Sequence, residues 1–140
     1  MIEIICGQKG KGKTKVLLDK VNEQVKSANG DMVYIDKSSK HMYELDTKIR
    51  LINLCDYPIS DTDECIGFIC GIISQNADIE TICLDSFLTI AYVDSAENLA
   101  IAIEKLDVIS NKFNVNFVLS VSKSEDELPE VAKSKVVVSL

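Results

Sequence analysis

Apolar positions along the chain alternate between short runs and stretches in which they recur at helical spacing. Ile2, Ile4, Ile5 and Cys6 form the first run and read as a short buried strand. From Lys13 onward Val16, Leu17, Val21, Val25 and Ala28 follow the helical period, and Asn29-Gly30 supplies a stop. Met32 to Asp36 reads as a second strand. Strand, crossover helix and strand make a βαβ unit, and hence a parallel sheet. Lys37 to Lys48 is polar, mixed in charge and without a period, so a loop is expected. Ile49 to Leu54 is a third strand, ended by Cys55-Asp56 and broken by Pro58.

Ser60 and Asp63 are expected to form a capping box opening a helix that runs to about Gln75. Cys65, Ile66, Phe68, Ile69, Ile72 and Ile73 make that helix apolar nearly all round, so it is expected to be deeply packed or covered by a partner. Gly67 and Gly71, four apart, read as a flat stripe for tight helix–sheet packing. Ile79 to Leu84 is a fourth strand ending at Asp85-Ser86. The next helix is capped between Asp94 and Glu97 and buries Leu99, Ala102, Ile103, Leu106 and Ile109. Val115 to Val121 is a fifth strand, with Ser120 and Ser122 near its end. An acidic turn from Ser124 to Glu127 and Pro129 follow, and Lys135 to Ser139 forms the last strand. The expected fold class is α/β: one three-layer αβα domain over residues 1–140 with a mainly parallel sheet, without repeats or a linker.

Composition narrows the function classes. At 46% hydrophobic and 26% charged residues the chain has the balance of an ordinary globular domain. A net charge of −7 argues against a bulk nucleic-acid or anionic-membrane surface. Lys9, Lys11, Lys13 and Lys15 stand out as a local basic cluster against that background. No apolar run approaches the ~20 residues needed to span a bilayer, and the first strand begins almost at Met1, so a cytoplasmic location is expected. Five cysteines (Cys6, Cys55, Cys65, Cys70 and Cys83) are an odd number without C-x-x-C spacing, as expected of reduced thiols. The single histidine, His41, has no ligand cluster at metal spacing and reads as a solvated side chain.

The basic cluster has a chemical explanation. Gly7-Gln8-Lys9-Gly10-Lys11-Gly12-Lys13-Thr14 fits the phosphate-binding loop G-x-x-x-x-G-K-[ST] at every fixed position, between a strand and a helix as that loop requires. Glycines let successive backbone N–H groups curl towards phosphate oxygens, and the following helix adds its positive end. In such a loop Lys13 reaches the β- and γ-phosphates and the Thr14 hydroxyl ligates Mg²⁺. In open parallel sheets ligands sit beyond the carboxyl ends of the strands. Those ends are the loop itself, Asp36, Asp56, Asp85 and Ser122. Asp85, a lone carboxylate after an apolar strand, is the expected magnesium partner of Thr14.

The order of that loop, a helix, Val-Tyr-Ile-Asp, a helix, Ile-Cys-Leu-Asp-Ser, a helix and a Ser-ending strand resembles the core of RecA-like P-loop ATPases, the group with RecA, KaiC and replicative helicases. The resemblance covers nearly the whole chain in element order. It implies ATP and Mg²⁺ as ligands, with Gly7 to Thr14 holding phosphates and Asp85 the magnesium shell. Guanine is disfavoured, because Asn111-Lys112-Phe113-Asn114 lacks the final Asp of an Asn-Lys-x-Asp motif. The family's water-polarising Glu falls at Ser38, or in related branches at Ser86, and its γ-phosphate-sensing Gln falls at Ser122. Asp36 is the remaining carboxylate for positioning water, so the expected catalytic residues are Lys13 and Asp36. Slow ATP hydrolysis serving a conformational or assembly switch is the expected activity, with a homo-oligomer or protein partner as its output. A regulatory or scaffold subunit without turnover, or a small-molecule kinase, are the alternatives. The kinase is the weaker, since Arg50 is the only arginine. Lys133 and Lys135 are expected as surface lysines, although either could reach a neighbouring subunit's nucleotide.

Overall fold

The computed structural model describes residues 1–140. Six strands form one sheet: β1 (Ile2–Cys6), β2 (Asp31–Asp36), β3 (Ile49–Asn53), β4 (Ile79–Leu84), β5 (Asn116–Val121) and β6 (Val136–Ser139). Their order is β3-β2-β4-β5-β1-β6, and every neighbouring pair is parallel. The interior strands are buried on both faces, which is why they read as nearly continuous apolar runs. The helices are α1 (Lys13–Gln24), α2 (Thr62–Gln75), α3 (Phe87–Ile90), α4 (Ala96–Phe113) and α5 (Glu130–Lys133). No helix is long and apolar enough to cross a membrane.

Three layers result, and they are unequal. On one face α1 sets Leu17, Leu18 and Val21, with Val25 just past its end, against Ile5, Met32, Tyr34, Cys83 and Val118. On the other, α2 and α4 cover the larger cluster, which includes Ile4, Ile35, Ile82, Leu84, Phe117 and Leu119. Each fully buried aliphatic or phenyl side chain there contributes roughly 1.5–3 kcal/mol. The chain leaves β1 towards the α1 face and leaves β4 and β5 towards the other. A crevice therefore opens at the carboxyl ends of these strands, where ligands of such sheets sit.

The strands lie where the sequence pattern places them, while five local details differ. Helix α1 ends at Gln24, because the backbone tightens into turns at Lys26 and Ser27 before Asn29-Gly30. The cap of α2 is Asp61, whose side chain accepts the Glu64 N–H, and Glu64 in turn accepts the Ser60 N–H and hydroxyl. The box is shifted one residue from Ser60 and Asp63. Gly67 and Gly71 do not pack tightly on the sheet: both are exposed, and a Cβ on either would meet nothing within 4 Å. Cys65, Ile66, Ile69 and Ile73 carry the buried face of α2 instead. Two single-turn helices, α3 and α5, lie where no periodicity is evident. Helix α4 buries Leu99, Ala102, Ile103 and Leu106 as expected, is capped by Ser95, and leaves Ile109 half-buried.

Candidate functional site

Six polar or charged residues are buried: Lys13, Asp36, Thr81, Asp85, Ser110 and Ser120. Buried charge is the informative exception in a folded protein. All but Thr81 and Ser110 lie at the carboxyl end of the sheet or on the first turn of α1. Strand alternation explains their meeting. Tyr34 and Asp36 on β2, Cys83 and Asp85 on and after β4, and Val118 and Ser120 on β5 each share a face two residues apart. Tyr34, Cys83 and Val118 pack towards α1, so the polar residue two places later emerges on that face beside the start of the helix.

The Gly7–Thr14 turn closes over these ends. Gly12 holds φ 91° and ψ 24° as the residue before α1, and Gly10 holds φ 86°. Both conformations belong to the left-handed region that glycine adopts without Cβ strain. Lys13 is folded back, its Nζ donating to the Gln8 carbonyl at 3.1 Å. Burial lowers its pKa from the ordinary lysine value, while the Asp85 carboxylate pulls it back up. Gln8 also donates to Glu127 at 2.5 Å, which ties the turn to the acidic segment after β5.

Asp85 is the centre of the network and is only 2% exposed. Its Oδ1 accepts from the Ser120 hydroxyl at 2.5 Å, the Ser86 N–H at 2.9 Å and the Thr14 hydroxyl at 3.4 Å. Its Oδ2 accepts from the Tyr34 hydroxyl at 2.7 Å. The Ser86 N–H also reaches the Ser120 hydroxyl at 2.7 Å. Burial, then the Asp85 charge and its hydrogen bond, push the Tyr34 phenol far above the ordinary tyrosine value, so it remains a donor.

A cleft of about 310 Å³ opens above this network. Lys9, Gly10, Gly12, Lys13, Thr14, Lys37, Asp85, Ser86, Thr89, Ser120 and Ser122 line it, and none is hydrophobic. Three ammonium groups against one carboxylate, with a helix N-terminus alongside, favour an anion. The structure thus brings Lys9, Gly10, Gly12, Lys13, Thr14 and Asp85 to one cleft. Gly7, Gln8 and Lys11 belong to the same turn but do not line it.

Asp36 stands apart. It is 2% exposed, does not line the cleft, and accepts the Lys37 N–H through Oδ1 at 2.7 Å. Its Oδ2 has no partner. Burial pushes its carboxyl above the ordinary range, with the Asp85 charge adding to the shift and the Lys37 N–H opposing it. Of the serines at the resemblance's Glu and Gln places, Ser86 and Ser122 line the cleft and Ser38 does not. His41 is at the surface loop with Nδ1 3.0 Å from Glu44 Oε1. Lys133 is near Glu130 and Lys135 near Asp107, away from the cleft.

Sequence reasoning passes over Tyr34, Lys37 and Thr89. Tyr34 carries a signal, being two residues before Asp36 on a strand otherwise apolar between its ends. Lys37 and Thr89 carry none, because their approach to the cleft depends on which strands become neighbours.

Compared with models of known protein families and with curated proteins, the chain matches none.

Proposed function

We propose that the chain is a RecA-like P-loop protein that binds ATP with Mg²⁺ and hydrolyses it slowly, as a conformational or assembly switch. The observation that carries this reading is the convergence of Lys13, Thr14 and Asp85 on a cleft without hydrophobic lining residues under the Gly7–Thr14 turn. The donor set fits the ligands. Backbone N–H groups of the turn and Nζ of Lys13 and Lys9 hold phosphate oxygens, while Thr14 and Asp85 hold the hydrated cation. One carboxylate and one hydroxyl suit magnesium, which keeps several waters and binds largely through phosphates. Mg²⁺ held by Thr14 and Asp85 would supply positive charge against the charge that develops during phosphoryl transfer.

The chain's own residues account for slow turnover. Lys13 orients the terminal phosphates and supplies positive charge. Ser122 and Ser86 face the cleft with hydroxyls, which do not take a proton near neutral pH as a carboxylate does. Asp36, with its raised pKa and unpartnered oxygen, is the remaining carboxylate that could orient water. Loss of a base typically costs about a hundred- to ten-thousandfold, so turnover falls well below the ~1–10³ s⁻¹ of ordinary enzymes.

A second reading, a small-molecule kinase, is favoured by one feature. A cavity of about 380 Å³ shares Thr89 and Ser122 with the cleft and adds apolar walls from Leu88, Val93 and Leu99. Screening nucleosides, sugars and other metabolites for acceptor-dependent ADP release separates the two: a large rise selects the kinase. The site itself is tested by Lys13→Ala. Removing a charge-assisted contact worth roughly 1.5–3 kcal/mol weakens ATP about ten- to a hundredfold in calorimetric titration, and equal affinity for both proteins would overturn the phosphate assignment.

A further inference from the structure

The four donors on Asp85 are unequal in what they fix. Ser120, Ser86 and Thr14 all address Oδ1, whereas Tyr34 alone addresses Oδ2. A carboxylate held on one oxygen only can turn about its Cβ–Cγ bond. One held on both cannot, because turning breaks bonds at either end. Tyr34 is well suited to hold the second oxygen, since it is fully buried at 0% exposure, packed in the cluster under α1, and its ring has no room to swing. Its hydroxyl ends a rigid side chain with few rotatable bonds. Thr14 makes the longest of the four bonds, at 3.4 Å. Its hydroxyl is the most weakly held to Asp85, and so the one free to address a ligand in the cleft.

We infer that Tyr34 is a positioning residue that locks the Asp85 carboxylate by its Oδ2, so that Oδ1 stays aimed at Thr14 and the hydrated cation. The inference rests on the proposed magnesium–nucleotide reading. It goes beyond that reading by assigning the cation's affinity to a residue that never touches it. Ser120 assists from the neighbouring strand, where its hydroxyl joins Asp85 to the Ser86 backbone. Thr14 is outside the lock, so its removal leaves Asp85 in place.

The test is the gain in nucleotide affinity on adding Mg²⁺, measured by calorimetry with the full chain for wild type, Tyr34→Phe, Ser120→Ala and, as an exposed control, Tyr92→Phe. The phenylalanine variant keeps the ring and deletes the hydroxyl. Its magnesium gain falls about tenfold, the worth of one charge-assisted hydrogen bond. Ser120→Ala shows a smaller fall, and Tyr92→Phe matches wild type. A second readout needs no nucleotide: a slowly exchanging tyrosine hydroxyl proton in the NMR spectrum, absent in Tyr34→Phe, that moves when Asp85→Asn is introduced. A folded Tyr34→Phe whose magnesium gain equals or exceeds that of wild type overturns the inference. If Tyr34→Phe does not fold, loss of the hydroxyl resonance from Asp85→Asn supports the Tyr34–Asp85 bond, and an unmoved resonance overturns it. Wild type without any magnesium gain would instead overturn the nucleotide reading, and this inference with it.

Discussion

Asp36→Asn should make the protein more stable at neutral pH, and the gain should fade in acid. Asp36 is 2% exposed, and one of its oxygens is buried without a partner. Asparagine keeps the Oδ1 acceptor for the Lys37 N–H at 2.7 Å and deletes the charge. An unsatisfied buried polar group costs roughly 1–3 kcal/mol, and more when charged. The introduced amide is itself unpartnered, so the net gain is about 1–2 kcal/mol. For a chain of this size that moves the melting temperature by roughly 3–8 °C. The sign follows from linkage. Burial raises the folded-state pKa above the unfolded value of 3.8, with Asp85 adding and the Lys37 N–H, His41 and Lys37 charges subtracting. The native state therefore binds this proton more tightly. Stability is lost as pH rises from 3.8 through the folded value, and the penalty is complete above it. Urea melts of both proteins from about pH 7 down to about pH 4 should show the advantage of Asn shrinking steadily. A less stable mutant at neutral pH would show that the carboxylate has a partner, and a gain independent of pH would show that its folded pKa is not raised; either refutes the reasoning. A stabilised mutant that also hydrolyses ATP more slowly would place Asp36 among residues kept for function at a cost in stability.

Asp85→Asn should retain nucleotide binding without magnesium while losing most of the gain from the ion, since the charge facing Thr14 is gone; an unchanged gain in a magnesium titration removes Asp85 from the metal role. Gly67→Ala and Gly71→Ala should each stabilise the chain by about 0.5–1 kcal/mol, because both lie in the exposed interior of α2 with open space at Cβ. A loss of stability in thermal melts, or an altered mass by light scattering, would show that a partner covers this stripe.

Much of the fold was legible because a parallel sheet buries its strands on both faces. Each strand then announces itself as an apolar run, and β4 follows the expected limits residue for residue. The misplaced details share a cause. Capping depends on which of several neighbouring polar side chains reaches a free N–H, and Ser60, Asp61, Thr62 and Asp63 all qualify by type. The glycines of α2 misled for a different reason: spacing reports that two residues share a helical face, but not which face meets the sheet. The core of the site was legible through Lys13, Thr14 and Asp85, since glycine spacing and strand ends are local signals. The bonds that Tyr34 and Ser120 make to Asp85 were not, because they come from β2 and β5 flanking β4, a neighbour relation that no local pattern encodes.

The charge distribution joins these observations to function. The chain carries a net −7, yet this cleft sets Lys9, Lys13 and Lys37 against Asp85 alone. A fold selected for stability alone gains nothing by gathering ammonium groups at one crevice, where burial pushes Lys13 below its ordinary pKa. An anion held there would be drawn to these cations, most strongly one bearing several charges. On the proposed reading the acidic remainder of the surface would act as a filter. It would repel extended polyanions that must touch more than the cleft, and would disfavour less a compact anion that fits within about 310 Å³. No hydrophobic side chain lines the cleft, so on the proposed reading affinity would reside chiefly in the charged tail of the ligand, and with it the dependence on the cation that Asp85 and Thr14 would hold.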